Sequence, residues 1–222
     1  MSNLIAPSKA LGYSNIFLDF LAREVSAMNF YPAADVSQVA GQIDSVRYHR
    51  RQITEILTAQ NRLYGATDKT FRNIERLTDD KAVCIFAGQQ AGLFGGPLLV
   101  VYKALSLVKA AEAYEAELKR PVVPIFWIAG DDHDFEEVNH TWVLSRSSEL
   151  TRIAYETPPA VELPTSEIKF ADKAELDKAK DMLKQALGDT DFTGSLYDLI
   201  DAAYTTNDTF VSAFGKLMAS LT

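Results

Sequence analysis

The sequence predicts an α/β protein in which a helical N-terminal arm precedes a buried parallel sheet. Two continuous apolar runs carry that reading, residues 82–87 and 122–129, each closed by a glycine, Gly88 and Gly130. Runs of this length without polar alternation suit strands covered on both faces. Between them, residues 97–119 form an apolar-periodic stretch long enough for the crossover helix that parallel pairing requires. Strand, helix, strand is a βαβ unit.

Taken in order, Ser14 stands where a helix N-cap is expected, and Ile16, Phe17, Phe20, Leu21, Val25 and Met28 recur at helical spacing until Tyr31-Pro32 ends the pattern. From residue 35 to 64, Val36, Val39, Ile43, Val46, Ile53, Leu57 and Tyr64 continue in steps of three and four and predict one long amphipathic helix. A shorter helix is expected over residues 68–77. Residues 1–80 thus read as a helical arm without a strand signal. Residues 81–145 hold the βαβ unit. Pro97 suits the first position of its helix, whose expected core face is Val101, Leu105, Val108, Ala111, Tyr114 and Leu118. A strand is expected at 140–144, and residues 146–193 then read as an insertion: a strand at 149–155, an irregular stretch with Pro158, Pro159 and Pro164, and a helix over 173–187 stopped by Gly188. Residues 194–222 return to helical spacing, with Phe210, Phe214, Leu217, Met218 and Leu221 running to Thr222 and no stop signal. Two parallel strands are too few for a stable doubly wound sheet, so the fold is expected to be incomplete and the chain to be the front part of a longer protein.

Composition narrows the function classes. The chain has 222 residues, 22 basic against 30 acidic, for a net charge of −8. Such a field repels phosphate backbones, and the basic residues do not cluster, which argues against a nucleic-acid groove. The single cysteine, Cys84, has no partner for an intrachain disulfide or a zinc pair and lies inside an apolar run, where a buried structural thiol is expected. The first residues lack a signal-peptide pattern, and no apolar run is long enough to span a bilayer. A cytoplasmic protein without a membrane partner is expected. His49, beside Arg47, Arg50 and Arg51, reads as surface.

Two loops carry the chemistry, and both leave the carboxyl ends of the predicted strands, where open α/β sheets bind their ligands. The first, residues 88–97, is rich in glycine and opens a helix, a setting that lets backbone approach an anion. It has neither the P-loop ending nor the dinucleotide spacing, so a phosphate site and a merely tight turn both fit. Gln89 and Gln90 tip the balance towards a ligand, because a turn needs only small residues there and two amides can donate and accept. The second loop runs Gly130-Asp131-Asp132-His133-Asp134-Phe135-Glu136-Glu137-Val138-Asn139-His140, with five acids among the seven residues 131–137. Like charges this dense need a cation, a substrate amine or open water to balance them. A solvated helix start capped by Asp131 or Asp132 accounts for Glu136 and Glu137. It does not account for His133 among three aspartates, or for Asn139 and His140. Asp132, His133, Asp134 and His140 are metal-ligand types and Glu137-x-x-His140 has a di-iron spacing, but di-iron bundles need that motif twice and no metal is assigned. Trp127 reads as core or pocket wall.

Together these loops resemble the bacillithiol-biosynthesis cysteine-adding enzyme family, also called cysteine ligases. The likeness rests on residues 87–98, AGQQAGLFGGPL, with Val101-Tyr102-Lys103-Ala104, and on residues 124–140, PIFWIAGDDHDFEEVNH. The resemblance implies a Rossmann-like parallel sheet of the nucleotidyltransferase or class I synthetase type, with residues 146–193 as a connecting-peptide-like insertion. It also implies a coiled coil and homodimer, mostly supplied beyond Thr222. The implied reaction adds cysteine to glucosaminyl-malate, through an activated cysteine carboxyl. ATP with Mg²⁺ is expected by analogy with the synthetases, although their lysine-rich signature loop has no counterpart here. On that reading Gly88, Gln89, Gln90, Gly95 and Pro97 shape a phosphate or carboxylate pocket, with Trp127, Asn139 and His140 adding substrate contacts. Asp131, Asp132 and Asp134 attract an ammonium or sugar hydroxyls, and His133 is the candidate acid/base. The other reading is a non-catalytic nucleotide- or sugar-binding fragment of the same scaffold.

Overall fold

The structure is a computed structural model that describes residues 6–31 and 35–221. The expected break at Pro32 and the helix end at Thr222 lie outside the described residues. The chain divides into two compact units, residues 1–48 and 49–222.

In the first unit Ser14 caps α1 (Asn15–Leu21), its hydroxyl accepting the Phe17 N–H at 3.4 Å. The expected single helix stops early. Arg23 takes a left-handed conformation, φ 55°, and the chain restarts as α2 (Val25–Met28). Asp35 caps α3 (Val36–Ile43) by accepting the Ser37 N–H at 2.7 Å, a bond that lowers its carboxyl pKa. The long helix expected over residues 35–64 also breaks, and α4 (Arg50–Leu63) starts separately. Ser45 donates its hydroxyl to the Gln42 carbonyl at 2.8 Å, a local bond that competes with the helical pattern, and the Val46 N–H turns to the Ile43 carbonyl instead. Apolar spacing crosses that break unchanged, so the pattern predicted one helix.

In the second unit α4 packs against α5 (Asp68–Arg76). Arg50 donates to the carbonyls of Leu77, Asp80 and Ala82 at 3.0–3.2 Å, tying α4 to the chain that enters β1 (Val83–Gln89). A 3₁₀ turn at Leu93–Gly95 leads to α6 (Leu98–Leu118), which returns the chain to β2 (Val122–Ile128). The strands pair in parallel from Val83↔Val122 to Gln89↔Ile128, giving the expected βαβ unit and a mixed α/β architecture. Among the described residues this sheet has two strands.

Three details of the unit differ from expectation. Pro97, at φ −66° and ψ 147°, is the N-cap of α6 rather than its first helical residue. The buried face of α6 is Val100, Ala104, Leu107 and Ala111, shifted by one residue in its first half because that half packs under the glycine-rich turn. The sheet is covered on one face only along part of its length: Phe86 and Trp127, which share the other face, are 63% and 60% exposed. The rim they form belongs to a largely apolar cavity of about 530 Å³ along β2, walled also by α4 and α5.

After β2 come a one-turn helix α7 (Phe135–Val138) and an antiparallel pair, β3 (His140–Leu144) and β4 (Leu150–Ala154). Three helices follow, α8 (Lys173–Leu187), α9 (Thr193–Ala203) and α10 (Phe210–Leu221). Gly188 closes α8 at φ 62°, as its position predicts. The main core draws Val100 and Ala104 of α6 together with α8, α9, α10, β4 and the irregular stretch before α8. Its centre is aromatic, with Phe170 4.4 Å from Phe210, 5.2 Å from Tyr155 and 5.6 Å from Tyr204 between ring centroids. Among the described residues no helix is long and apolar enough to cross a membrane.

Candidate functional site

Parallel pairing ends β1 and β2 side by side at Gln89 and Ile128, so both chemistry-bearing loops leave one edge of the sheet. Gly88 lies opposite Trp127, and a Cβ there would stand 2.8 Å from the Trp127 carbonyl oxygen. The first loop then turns through left-handed residues, Phe94, Gly95 and Gly96, at φ 51°, 93° and 67°. Three of its N–H groups are used from within the fold. Gly92 donates to Gln90, Gly96 to Leu93, and Gly95 to the hydroxyl of fully buried Tyr204 at 3.1 Å. The loop is therefore a braced tight turn, and the side chains of Gln89 and Gln90 offer donors at the edge.

Lys103 joins them from α6. Its ammonium donates to the Gly88 carbonyl at 3.1 Å and to Gln89 Oε1 at 2.8 Å. Gln89 donates to Gln90 Oε1 at 3.1 Å, and Gln90 reaches the second loop, donating to Asp132 Oδ2 at 3.4 Å. Lys103 lies in the family-like stretch 101–104 but was not among the residues expected at the site. A signal was present, since it is the sole charged residue from 90 to 108. Tyr204 carried no such signal, 109 residues from the glycine it holds.

The acidic loop is fixed at its start. The carbonyls of Gly130 and Asp132 accept N–H groups of Ser166 and Thr165 at 3.0 and 2.8 Å, and a Cβ on Gly130 would come within 2.9 Å of Val211. Asp132 Oδ1 accepts the Asp134 N–H at 3.1 Å, and this bond, followed by the Gln90 amide, holds its carboxyl below the usual value. Asp134, rather than Asp131 or Asp132, caps α7, accepting the Glu137 N–H at 3.2 Å. Asp131, His133 and Asp134 are exposed, which lets water screen the local charge.

The structure thus brings Gly88, Gln89, Gln90 and Asp132 together, with Gly95 and Pro97 around the turn and helix start behind them. His133 pairs with Glu162 outside that chain, its Nε2 3.1 Å from Glu162 Oε1. Asn139 and His140 pair with each other at 3.0 Å at the start of β3, and buried Asn139 accepts the Tyr155 N–H through its carbonyl. Cys84 is half-buried, and burial pushes its thiol pKa up, away from the reactive thiolate. Among the described residues no group of three or more His, Cys, Asp or Glu is placed to hold a metal ion.

Relatives named "Putative cysteine ligase BshC" include one from Salinibacter ruber, 32% identical over 221 residues, covering 97% of this chain and 40% of its own length. One from Koribacter versatilis is 33% identical over 212 residues, 94% of this chain and 38% of its own. Another, from Geobacillus kaustophilus, is 35% identical over 179 residues, 78% of this chain and 32% of its own. The chain therefore spans at most about two fifths of these relatives. A family model described as bacillithiol biosynthesis BshC, N-terminal Rossmann-like domain, matches residues 2–222. The chain belongs to this BshC family, as its N-terminal Rossmann-like domain.

Proposed function

We propose that this chain supplies one wall of the active site of a cytoplasmic ligase that adds cysteine to glucosaminyl-malate. The observation that carries the reading is the hydrogen bond from Gln90 to Asp132, which joins the two family-matching loops at the carboxyl edge of the parallel sheet. An amino acid brings a carboxylate and an ammonium on one carbon. Lys103, Gln89 and Gln90 are donors for the first, and Asp132, with Asp131 and Asp134 beside it, is acceptor for the second. His133 is exposed and stands beside a carboxylate, a setting in which an imidazole can take the proton released by the attacking sugar amine.

A nucleotide fits the same edge. The 21-residue α6 points its N-terminus at it, and Lys103 adds a positive charge. The flanking carboxylates would be offset by the Mg²⁺ that accompanies a nucleotide. When bound, ATP would supply the leaving group that makes the cysteine carboxyl reactive. In this reading the remaining family length supplies the other wall, the coiled coil and the homodimer contact.

The test is bacillithiol production in cells that depend on this protein. Asp132→Ala and His133→Ala should each lower it, by roughly 100-fold where the side chain moves a proton. Unchanged bacillithiol in both variants would sink the assignment. Calorimetry of the chain with cysteine, glucosaminyl-malate and ATP then separates a binding wall from a catalytic one. Binding without release of phosphate or pyrophosphate identifies a binding fragment, and no binding by any of the three overturns both readings.

A further inference from the structure

We propose that Lys103 is a positioning residue that holds and polarises the donor end of a hydrogen-bond chain running through Gln89 and Gln90 to Asp132, whose carboxylate fixes the other end. The proposal rests on the reading of this edge as a substrate pocket only for its purpose, since the chain exists without substrate.

Side-chain amides can be flipped, so the direction of a bond between two glutamines is ordinarily ambiguous. Here both ends are fixed by chemistry. An ammonium can only donate and an ionised carboxylate can only accept. With Lys103 Nζ 2.8 Å from Gln89, Gln89 must turn its oxygen to the lysine and its nitrogen onward. Gln90 then accepts from Gln89 at 3.1 Å and donates to Asp132 at 3.4 Å. Four half-buried side chains from β1, α6 and both loops thus share one polarity. Bonds aligned head to tail polarise one another, which strengthens each amide as a donor.

Two consequences follow for ligands. Each amide nitrogen keeps a second N–H, so the ligand group met along the chain is an acceptor, a carboxylate or a phosphoryl oxygen. Asp132, with one oxygen held by Gln90 and the other by the Asp134 N–H, serves as a fixed negative charge and not as a proton carrier. Asp131, His133 and Asp134 flank it on its own loop, Glu162 faces His133 from the irregular stretch, and Lys103 reaches it through the two amides.

The test is an NMR titration of Asp132, with carboxyl-labelled aspartate in the whole chain, on wild type, Lys103→Met and Lys103→Arg. In Lys103→Met the Asp132 midpoint should rise towards the usual carboxylate range, and the side-chain amide signals of Gln89 and Gln90 should move. Lys103→Arg, which keeps charge and donors, should restore both. Gln89→Met leaves the lysine in place and cuts the chain, so it should give the same rise and serves if Lys103→Met does not fold. Midpoints that stay put in both Met variants, or a rise that Lys103→Arg does not reverse, overturn the proposal. No substrate enters the titration, so failure to bind cysteine or ATP tells against the proposed function alone.

Discussion

Tyr204 is fully buried, and its hydroxyl serves two backbone groups of the glycine-rich turn, accepting from Gly95 and donating to the Gly92 carbonyl at 3.4 Å. Burial pushes its phenol far above the ordinary value, so it stays neutral and keeps both roles. Tyr204→Phe removes the hydroxyl, while the Gly95 N–H keeps its 3.1 Å bond to the Gly92 carbonyl. The expected loss is about 0.5–1.5 kcal/mol in urea unfolding, without loss of the fold. Asp208 shows the opposite shift. Burial acts to raise its carboxyl pKa, but Lys216, Thr205 and Ser212 outweigh it and hold the folded value below the usual one. A folded value below the unfolded one means stability that is fully present above the ordinary carboxylate range and lost as pH falls through the folded value. Asp201, beside Lys180 and Lys184, adds to stability with the same sign. Asp208→Asn should therefore cost about 1.5–3 kcal/mol at neutral pH and flatten the acid limb, read from urea midpoints between neutral pH and acid.

Among the elements, the turn between β1 and α6 owes its shape to small residues in close contact. Gly92 has an ordinary φ of −62°, so only space demands glycine there. A Cβ would lie 2.8 Å from the Gly96 Cα, backbone against backbone, with no flexible side chain to yield. Gly92→Ala should open the turn, break the Tyr204 contact and weaken ligand binding at the edge while α6 and the strands persist. Amide exchange would show this as lost protection confined to residues 90–97 and Tyr204. The strands and α8 were legible because apolar runs and glycines agree at those places, as Gly188 does at the end of α8. The breaks at Arg23 and Ser45 were not. A left-handed arginine and one serine-to-carbonyl bond leave apolar spacing intact, so periodicity cannot register them. The site divides in the same way: loop composition marked Gln89, Gln90 and Asp132, but which amide faces which group depends on Lys103, set by the phase of α6.

Over the whole chain, the C-terminal helices read from sequence as a run leading onward, yet they close the core behind the site. Phe210 and Phe214 of α10 are fully buried, and Phe210 meets Tyr155, Phe170 and Phe135, which come from three separate stretches. Such contacts join residues far apart in sequence, and no local pattern announces them. They also tie the acidic loop to α10: Gly130 abuts Val211, and residues 168–170 bridge to 208–210 through paired backbone bonds. Removing α9 and α10 by stopping the chain at Asp191 would expose Phe170, Tyr155 and Leu93 and strip the turn of Tyr204. Burying an aromatic or aliphatic side chain contributes roughly 1.5–3 kcal/mol each, and domains hold only about 5–15 kcal/mol in all. The shortened chain should therefore lose cooperative thermal unfolding and bind a hydrophobic dye, with near-ultraviolet circular dichroism lost and helix content partly kept. A sharp transition in that chain would mean that residues 49–191 hold their own core and that the last two helices are not needed to shape the site.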